Sequence, residues 1–288
     1  TDDDMQEADQ VSANITKILS SNTLDFSAKG YISLHRRIFA GVFKHAGKVR
    51  DYDISKNEWI LNGDTVHYLN WEDLHRALDY DIEQERRFSY KGLSTDQLIQ
   101  HITRFVSDIW QIHAFCEGNT RTTAVFAILY LRDLGYKVEN DMFAQHSWYF
   151  RNALVRAKYA DYMNGVKRDW SYLEDFFKNL LLGENNRMKS RYLLVGLSDE
   201  DKRKIEELTE KKEERKVVRK RLSEKSCQKT SNKIVALLKK NAKITQNEIA
   251  KTLGISRQAV QKHLANLKIA GRLQRIGPDK GGHWEVNV

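Results

Sequence analysis

Eleven consecutive residues, HAFCEGNTRTT at positions 113–123, combine side chains that can move a phosphate-bearing group. His113 titrates near neutral pH and can take a proton from an attacking hydroxyl. Glu117 is a hard oxygen ligand of the kind that holds Mg²⁺ together with a nucleotide. Arg121 presents a planar, charged fork that suits phosphate oxygens. A base, a metal-binding carboxylate and an anion-binding cation within nine residues indicate transfer of a phosphate-bearing group.

The backbone of the same segment also suits an anion. It leaves one expected helix and enters another, and the free amides and the dipole of a helix start favour phosphate. Gly118 permits tight backbone geometry, Asn119 tolerates the left-handed conformation, and Thr120 is expected to cap the second helix. Each residue alone also has an ordinary structural interpretation, as a surface group, a solvated carboxylate or a common turn. That alternative requires four coincidences in one loop.

Two helices must position this loop. Residues 94–113 begin with Ser94 and Gln97, the pattern of a capping box, and continue with one apolar face. The sequence after the loop, RTTAVFAILYLRDLGY, is apolar nearly all round and stops at Gly135. A helix that is apolar on every side is buried at the centre of its domain.

Two segments further upstream carry different patterns. Residues 33–43 have apolar side chains at helical spacing, which predicts a helix there. In residues 56–68, Asn62 and Gly63 stand between two β-prone runs. Asn-Gly is a strong hairpin signal because both turn positions need a positive φ, so we expect a β-hairpin at 56–68. A lone hairpin in a helical domain must pack on helices or serve as a mobile flap.

The segment HAFCEGNTRTT resembles the Fic family motif, H-x-F-x-D/E-G-N-x-R, in the variant that ends G-N-T-R-T. The matching positions are His113, Phe115, Glu117, Gly118, Asn119 and Arg121. Residues 34–56, LHRRIFAGVFKHAGKVRDYDISK, are similar to the family's upstream segment, a helix followed by A-G-K-x-R. Residues 56–68 fall where the family has its substrate-docking flap. The resemblance covers about residues 20–195.

This resemblance implies a mainly α-helical fold and protein AMPylation. In that reaction ATP donates AMP to a Ser, Thr or Tyr hydroxyl of a target protein and pyrophosphate leaves, so the implied cofactors are ATP and Mg²⁺. By matching position, His113 would be the general base and Glu117 would hold Mg²⁺ on the phosphates. The implied nucleotide contacts are Phe115, which anchors the loop, and Gly118, Asn119, Thr120 and Arg121, which cradle the phosphates. The family often places adenine-contacting aromatics where Trp148, Tyr149 and Phe150 stand, although a core role is the alternative for each.

Three positions depart from the family pattern. Ala114 stands where the family often has proline, and Thr120 stands where it usually has a second glycine. Ala124 replaces a second arginine that contacts phosphate in typical members. The last departure keeps two alternatives open: a DNA-binding regulator whose Fic domain senses nucleotide, and transfer or removal of another phosphate-linked group.

The family's inhibitory pattern, S/T-x-x-x-E-G/N, does not occur in this sequence. We therefore expect no intramolecular inhibition of that kind, and inhibition by a separate protein remains an open alternative.

Positive charge is concentrated in the last third of the chain. Residues 201–288 hold 23 Lys and Arg against 10 Asp and Glu, a net charge of +13, whereas residues 1–200 have a net charge of −4. Such asymmetry suggests a part that binds a polyanion. Residues 196–228 lack glycine and proline after Gly196 and place acids early and bases late, which favours a connecting helix. A frayed linker is the alternative.

Residues 229–288 are similar to the winged helix-turn-helix family: three helices precede two short strands around GPDKGG. The segment ISRQAVQKHLANL is typical of the recognition helix, whose N-terminal part usually enters the major groove of DNA. Predicted base or phosphate contacts are Arg257, Gln258, Gln261 and Lys262, with Arg275 and Lys280 of the wing meeting the DNA backbone. Docking on the rest of the chain, or dimerisation, is the alternative for this domain.

The composition excludes several classes of protein. With 41% hydrophobic and 10% aromatic residues among 288, the chain can form packed cores, and no apolar run approaches the roughly 18 residues of a membrane span. Two cysteines far apart and a polar start, TDDDMQEADQ, unlike a signal peptide, favour a reducing cytoplasm. We therefore expect a Fic-type catalytic domain at 1–195, a charged connecting helix at 196–228 and a winged domain at 229–288. A homodimer remains open.

Overall fold

The computed structural model describes residues 2–278 and 282–287, and for residues 2–4, 199 and 210–227 it describes the backbone alone. Two compact units divide the chain, Thr1–Ser198 and Asp199–Val288. The described part is mainly α-helical, and its strands lie near the C-terminus. The mainly α fold class expected from the sequence is therefore confirmed.

The first unit is built from helices joined by loops and short 3₁₀ turns. Its helices are α1 (Asp2–Ser21), α2 (Ala28–Ile38), α3 (Leu74–Arg87), α4 (Thr95–Ile112), α5 (Asn119–Asp133), α6 (Asp141–Gln145), α7 (Ser147–Lys158) and α8 (Ser171–Leu182). The 3₁₀ turns are Trp59–Leu61, Trp71–Asp73, Tyr162–Asn164 and Ser190–Leu193.

Helix α5 lies at the centre of the first unit. Five consecutive residues, Val125 to Leu129, are each no more than 2% exposed. Successive residues point about 100° apart around a helix, so burial of five in a row means that neighbours pack on every side of α5. The all-round apolar sequence predicted this position correctly. The capping box of Ser94 and Gln97 at the start of α4 is also confirmed.

The helix expected at residues 33–43 lies earlier in the chain, so that prediction was wrong in its bounds. Helix α2 begins after Ser27, whose hydroxyl accepts a hydrogen bond from the Gly30 amide, and it ends at Ile38. Gly41 has a φ of +80°, a left-handed conformation that cannot continue a helix. The apolar spacing runs past the helix because Val42 and Phe43 still pack against the core from the following loop.

The β-hairpin expected at residues 56–68 is absent from this described segment, although the turn is present. Asn62 and Gly63 have φ values of 56° and 92°, the positive values that the Asn-Gly pair predicts. The residues before them form a 3₁₀ turn in which the neighbours Ile60 and Leu61 are both buried. Adjacent side chains of a strand point to opposite faces, so a strand could not bury both against one core. We call residues 56–68 the cavity segment below.

The second unit holds a helix-turn-helix and a wing. Its elements are α9 (Asp199–Lys240), α10 (Gln246–Leu253), α11 (Arg257–Ile269), β1 (Leu273–Ile276) and β2 (His283–Val286). The strands pair antiparallel, with Leu273 opposite Val286 and Ile276 opposite His283. The expected connecting helix and the first helix of the winged domain form one continuous helix, α9.

Local signals in the sequence set the ends of the later helices. Thr245 and Glu248 form a capping box at the start of α10, Gly254 ends this helix in the left-handed conformation, and the Ser256 hydroxyl caps α11. A core of buried apolar side chains from all five elements joins them, and it includes Ile234, Leu238, Ile249, Val260, Leu264, Leu273 and Trp284. Across the part of the chain that the structure describes, no helix has the length and apolar character needed to cross a membrane.

Candidate functional site

His113 lies where helix α4 ends. It adopts the left-handed conformation, with a φ of 51°, and its amide donates to the Trp110 oxygen at 3.1 Å. The Nδ1 atom also lies 3.3 Å from the Trp110 oxygen. The ring stacks on Tyr68 from the segment after the Asn62 turn, with centroids 3.9 Å apart. The imidazole is therefore held on both its backbone side and its ring face.

The environment of His113 keeps its imidazole neutral. The residue is only 3% exposed, and burial, followed by the nearby charge of Lys56, lowers its pKa well below the usual 6.5. Because Nδ1 faces a carbonyl oxygen, that nitrogen carries the proton, and Nε2 keeps its lone pair. Nε2 is buried and has no hydrogen-bond partner within the described residues. A neutral imidazole with a free Nε2 lone pair is the form that a general base needs.

Gly118 begins helix α5 under two constraints. Its φ is +78°, and a Cβ atom placed on it would lie 2.3 Å from Cε2 of Phe39. A residue with a side chain would therefore be strained and would also clash. With glycine here, α5 starts at Asn119, and the amides of Asn119, Thr120 and Arg121 have no hydrogen-bond acceptor in the described residues. Three free amides at a helix N-terminus can donate to an anion, and anion binding at this position stays a prediction.

Two side chains of this loop hold its shape. The Asn119 amide group accepts a hydrogen bond from the Phe115 amide at 2.9 Å and donates to the Phe115 oxygen at 2.6 Å. Thr120 was expected to cap α5, and that prediction was wrong: the N-cap is Gly118, and the Thr120 hydroxyl accepts from Nε1 of Trp110 at 3.0 Å. The helix starts two residues earlier than expected because glycine tolerates the left-handed cap conformation.

A cavity of about 180 Å³ joins these groups. Its lining comes from the end of α4, the start of α5, the loop after α2, the cavity segment and α7, and consists of Phe39, Phe43, Lys56, His113, Glu117, Gly118, Asn119, Thr120, Arg121 and Arg151. Glu117 and Arg121 are exposed, so both side chains can reach a ligand in the cavity. The structure thus brings the predicted base, carboxylate, amides and arginine to one place.

Glu117 is the carboxylate at this cavity that suits Mg²⁺. Within the described residues, no group of three or more His, Cys, Asp or Glu side chains could hold a metal by itself. Mg²⁺ commonly binds through one or two carboxylates together with substrate phosphates and waters. A single exposed carboxylate beside a phosphate site fits that manner of binding.

Two residues that position the site were missed by the sequence reasoning. His35 accepts from the Gly47 amide through Nδ1 at 2.9 Å and lies 3.0 Å from the Glu117 oxygen through Nε2. Its ring stacks on Phe115 with centroids 3.8 Å apart. Buried Arg50 donates to the backbone oxygens of Tyr52, Leu69, Ile112 and His113. Both residues lie within residues 34–56, which are similar to the family's upstream segment, but that similarity did not indicate the role of either residue.

Three further residues beside the cavity were also missed. Arg151 of α7 donates two hydrogen bonds to the carboxylate of Glu58, at 2.6 and 2.7 Å. Glu58 is 1% exposed, so this ion pair is largely removed from water. Lys56 lines the cavity two residues earlier. Burial, and then the charge of Arg151, lowers the pKa of the Lys56 ammonium.

Of the aromatic residues expected to contact the nucleotide, Phe115, Tyr149 and Phe150 lie in the core, whereas Trp148 is exposed. Phe115 is fully buried, in agreement with an anchoring role. Tyr149 is 3% exposed, and its hydroxyl donates to the Tyr172 oxygen at 3.1 Å. Phe150 packs against Phe143 and lines an apolar cavity of about 240 Å³ that shares Thr120 and Arg121 with the first cavity. The adenine-contacting roles of Tyr149 and Phe150 stay predictions.

The winged unit presents polar side chains on one groove. Arg257, Gln258, Gln261 and Lys262 of α11 are exposed. A groove of about 620 Å³ lies between the start of α10, α11 and the wing, and its lining includes Lys243, Arg257, Gln261, Lys268 and Arg275. The Arg275 guanidinium lies 4.9 Å from the ring centroid of Trp284. Lys280, the other predicted wing contact, lies outside the described residues.

Family models match one stretch of each unit. A model described as the Fic/DOC family matches residues 25–131, and one described as winged helix-turn-helix DNA-binding matches residues 228–273. Protein adenylyltransferase VbhT of Bartonella schoenbuchensis is 28% identical over 108 residues. That match covers 38% of this chain and 21% of the relative, so the chain corresponds to about a fifth of that protein's length.

Two solved structures show lower similarity. BepC of Bartonella tribocorum, a VirB-translocated effector with bound AMPPNP, is 15% identical with a TM-score of 0.47, covering 63% of this chain and 88% of that one. A Fic family protein from Desulfovibrio desulfuricans G20 is 13% identical with a TM-score of 0.44, covering 100% of this chain and 76% of that one.

Proposed function

Because this chain contains a Fic/DOC-family domain at residues 25–131 and a winged helix-turn-helix domain at residues 228–273, we propose that it is a protein adenylyltransferase with an accessory DNA-binding domain. It transfers AMP from ATP to a Ser, Thr or Tyr hydroxyl of a target protein. The observation that carries this proposal is the neutral, unpartnered Nε2 of His113 at a cavity that also holds the free amides of α5.

His113 acts as the general base. Its Nε2 takes the proton of the target hydroxyl while the hydroxyl oxygen attacks the α-phosphorus of ATP. The bond from the α-phosphorus to the bridging oxygen of the β-phosphate breaks, and pyrophosphate leaves. Hydrogen bonding of Nδ1 to the Trp110 oxygen and stacking on Tyr68 keep the ring oriented for this transfer.

The start of α5 binds the phosphates. The amides of Asn119, Thr120 and Arg121 donate to phosphate oxygens, and the Arg121 guanidinium adds charge-assisted hydrogen bonds. Glu117 would hold Mg²⁺ together with these phosphates. When bound, the ion would supply positive charge that offsets the charge of the phosphates. The side chain of Asn119 contributes by closing the loop rather than by meeting the nucleotide, since both ends of its amide group are already bonded to Phe115.

An adenine ring needs an aromatic surface that a ligand can reach. Of the three aromatics that begin α7, Trp148 is 54% exposed, whereas Tyr149 and Phe150 are buried. The Arg151 guanidinium lies 5.6 Å from the centroid of the Trp148 ring and also lines the cavity, so the indole adjoins a residue of the cavity wall. Adenine therefore stacks on Trp148, with Tyr149 and Phe150 supporting the helix beneath.

The target protein binds over the cavity segment. Lys56 and Glu58 connect this segment to the cavity, and Trp59 is 44% exposed on its surface. Several backbone groups of the 58–64 turn bond to one another, including the Glu58 amide to the Asp64 oxygen at 2.9 Å. Side-chain contacts with the target therefore matter more here than addition of a β-strand.

A second function is favoured by one residue. Ala124 places a methyl group on α5 three positions after Arg121, where the family resemblance implies a phosphate-contacting arginine. In this alternative the chain is a DNA-binding regulator whose weakened Fic domain senses nucleotide. Transfer or removal of another phosphate-linked group would follow from the same change.

One experiment separates the two functions. The full chain is incubated with cell lysate, Mg²⁺ and ATP labelled at the α-phosphate, in parallel with His113→Ala. Protein labelling by the wild type that His113→Ala loses supports adenylyl transfer. ATP binding without labelling of any protein supports the nucleotide-sensing regulator and contradicts the transferase.

A further inference from the structure

Three cationic side chains, Lys56, Arg121 and Arg151, line the cavity of about 180 Å³, and they differ in how their charge is neutralised. Arg151 is paired with Glu58 through two hydrogen bonds, so that pair brings no net charge. Arg121 is exposed at the cavity mouth, where water screens it. Lys56 is partly buried, and its ammonium makes no hydrogen bond or ion pair with any residue that the structure describes.

A partly buried ammonium without an anionic partner is costly to keep in a folded protein. The carboxylates of Glu58 and Glu117 are near enough to influence Lys56 electrostatically, yet Glu58 is bonded to Arg151, and Glu117, which lines the same cavity, makes no ion pair with Lys56. The amide of Lys56 donates to the Thr65 hydroxyl at 3.1 Å, which fixes the backbone from which the side chain enters the cavity. Lys56 thus has no ion-pair partner within the described residues, and a phosphate bound in the cavity would supply one.

We infer that Lys56 binds the phosphate chain of the nucleotide, supplying from the cavity segment the positive charge that Ala124 does not supply from α5. This inference rests on the proposed nucleotide-dependent function of the cavity. An ammonium group suits the role because it is a compact point charge that can meet any of several phosphate oxygens. Lys56 lines the same cavity as His113, the start of α5 and Arg121, and it comes from a different segment of the chain than the helix start.

The test is the affinity of the full chain for AMPPNP with Mg²⁺, measured by isothermal titration calorimetry. Loss of a charge-assisted contact to phosphate predicts weakening of about 10- to 100-fold for Lys56→Met. Lys56→Arg keeps a cation at this position and should remain close to the wild type. Lys91→Met removes an exposed lysine remote from the cavity and serves as the matched control, with affinity unchanged.

Two outcomes overturn the inference. One is wild-type affinity in Lys56→Met while Arg121→Met binds AMPPNP more weakly, because the cavity would then take phosphates without Lys56. The other is equal loss of affinity in Lys56→Met and Lys91→Met. Absence of AMPPNP binding by the wild type would instead contradict the proposed nucleotide-dependent function itself, so the two failures are distinguishable.

Discussion

The guanidinium of Arg50 donates from Nε to the backbone oxygen of His113 at 2.7 Å. The same group donates to the oxygens of Tyr52 and Leu69, which belong to the chain on either side of the cavity segment. One buried side chain thus fixes both the end of α4, where the proposed general base His113 lies, and the loops that frame the cavity. The geometry of His113 depends on a residue 63 positions away in sequence.

Replacing Arg50 should therefore damage both stability and function. Arg50→Met leaves several buried carbonyl oxygens without donors, and we expect it to lower the free energy of unfolding by about 2–5 kcal/mol. Urea unfolding followed by tryptophan fluorescence measures this change in the first unit, because five of the six tryptophans lie there. Arg76→Met removes a guanidinium that is 81% exposed and should change stability by less than about 0.5 kcal/mol. Equal effects of the two substitutions would contradict the role given to Arg50.

Gly118→Ala should be more damaging than the same change at another left-handed glycine. At Gly118 the added Cβ meets Phe39 at 2.3 Å, whereas at Gly92, with a φ of +83°, it meets nothing within 4 Å. Gly92→Ala therefore carries the backbone strain alone, about 1–2 kcal/mol, and Gly118→Ala adds overpacking of about 1–3 kcal/mol. Urea unfolding of the two variants gives the difference directly. A Gly118→Ala variant as stable as Gly92→Ala would show that the phenylalanine ring moves aside at no cost.

Acid should destabilise the first unit through His35. Burial lowers the pKa of His35 to about 4, whereas an unfolded histidine has a pKa near 6.5. Between these two values the unfolded chain binds a proton that the folded chain does not, so the free energy of unfolding falls as the pH falls from about 6.5 to about 4. Burial of His113 acts in the same direction.

The pH dependence of urea unfolding tests this contribution of His35. His35→Gln removes one titrating group and should flatten the dependence between pH 6.5 and 4, whereas His75→Gln, at an exposed position, should leave it unchanged. An unaltered slope in His35→Gln would mean that the folded protein accepts the proton on His35 without penalty.

DNA binding through the winged unit should depend on salt and on the exposed face of α11. Arg257→Ala or Gln261→Ala should cost about 1–3 kcal/mol of binding free energy if the side chain reads a base. The Lys262→Ala variant should bind more weakly on all sequences and show a shallower salt dependence, which is the mark of a phosphate contact. Fluorescence anisotropy with duplex DNA over a salt series measures both effects, with Arg76→Ala as a control in the first unit. Unchanged affinity for DNA in all three α11 variants would show that DNA does not contact these side chains.

The sequence predicted those features that short stretches of chain determine. The capping boxes at Ser94 and Thr245 and the positive φ at Asn62 follow from residues within four positions of one another. The amides at the start of α5 were predictable for the same reason, since a glycine followed by an apolar helix marks a helix start. The error at Thr120 came from giving the cap to a hydroxyl residue when Gly118 could take that conformation itself.

The remaining features depend on contacts between distant parts of the chain. Glu58 meets Arg151 93 positions later, and His35 meets the Glu117 oxygen 82 positions later. Nothing near Glu58 in sequence indicates a buried carboxylate, because burial comes from packing against α7. The prediction of strands at 56–68 was wrong for a similar reason. Ile60 and Leu61 are both buried in the core, and this packing overrides their β-propensity.

Adenylyl transfer through His113 is tested most directly by following each end of ATP during the reaction. The full chain is incubated with lysate, Mg²⁺ and ATP labelled at either the α- or the γ-phosphate, and the modified peptides are identified by mass spectrometry. Adenylyl transfer predicts protein labelling from the α-label alone, an added AMP on a Ser, Thr or Tyr side chain, and loss of both in His113→Ala. Protein labelling from the γ-phosphate, or α-labelling that persists in His113→Ala, would contradict the account.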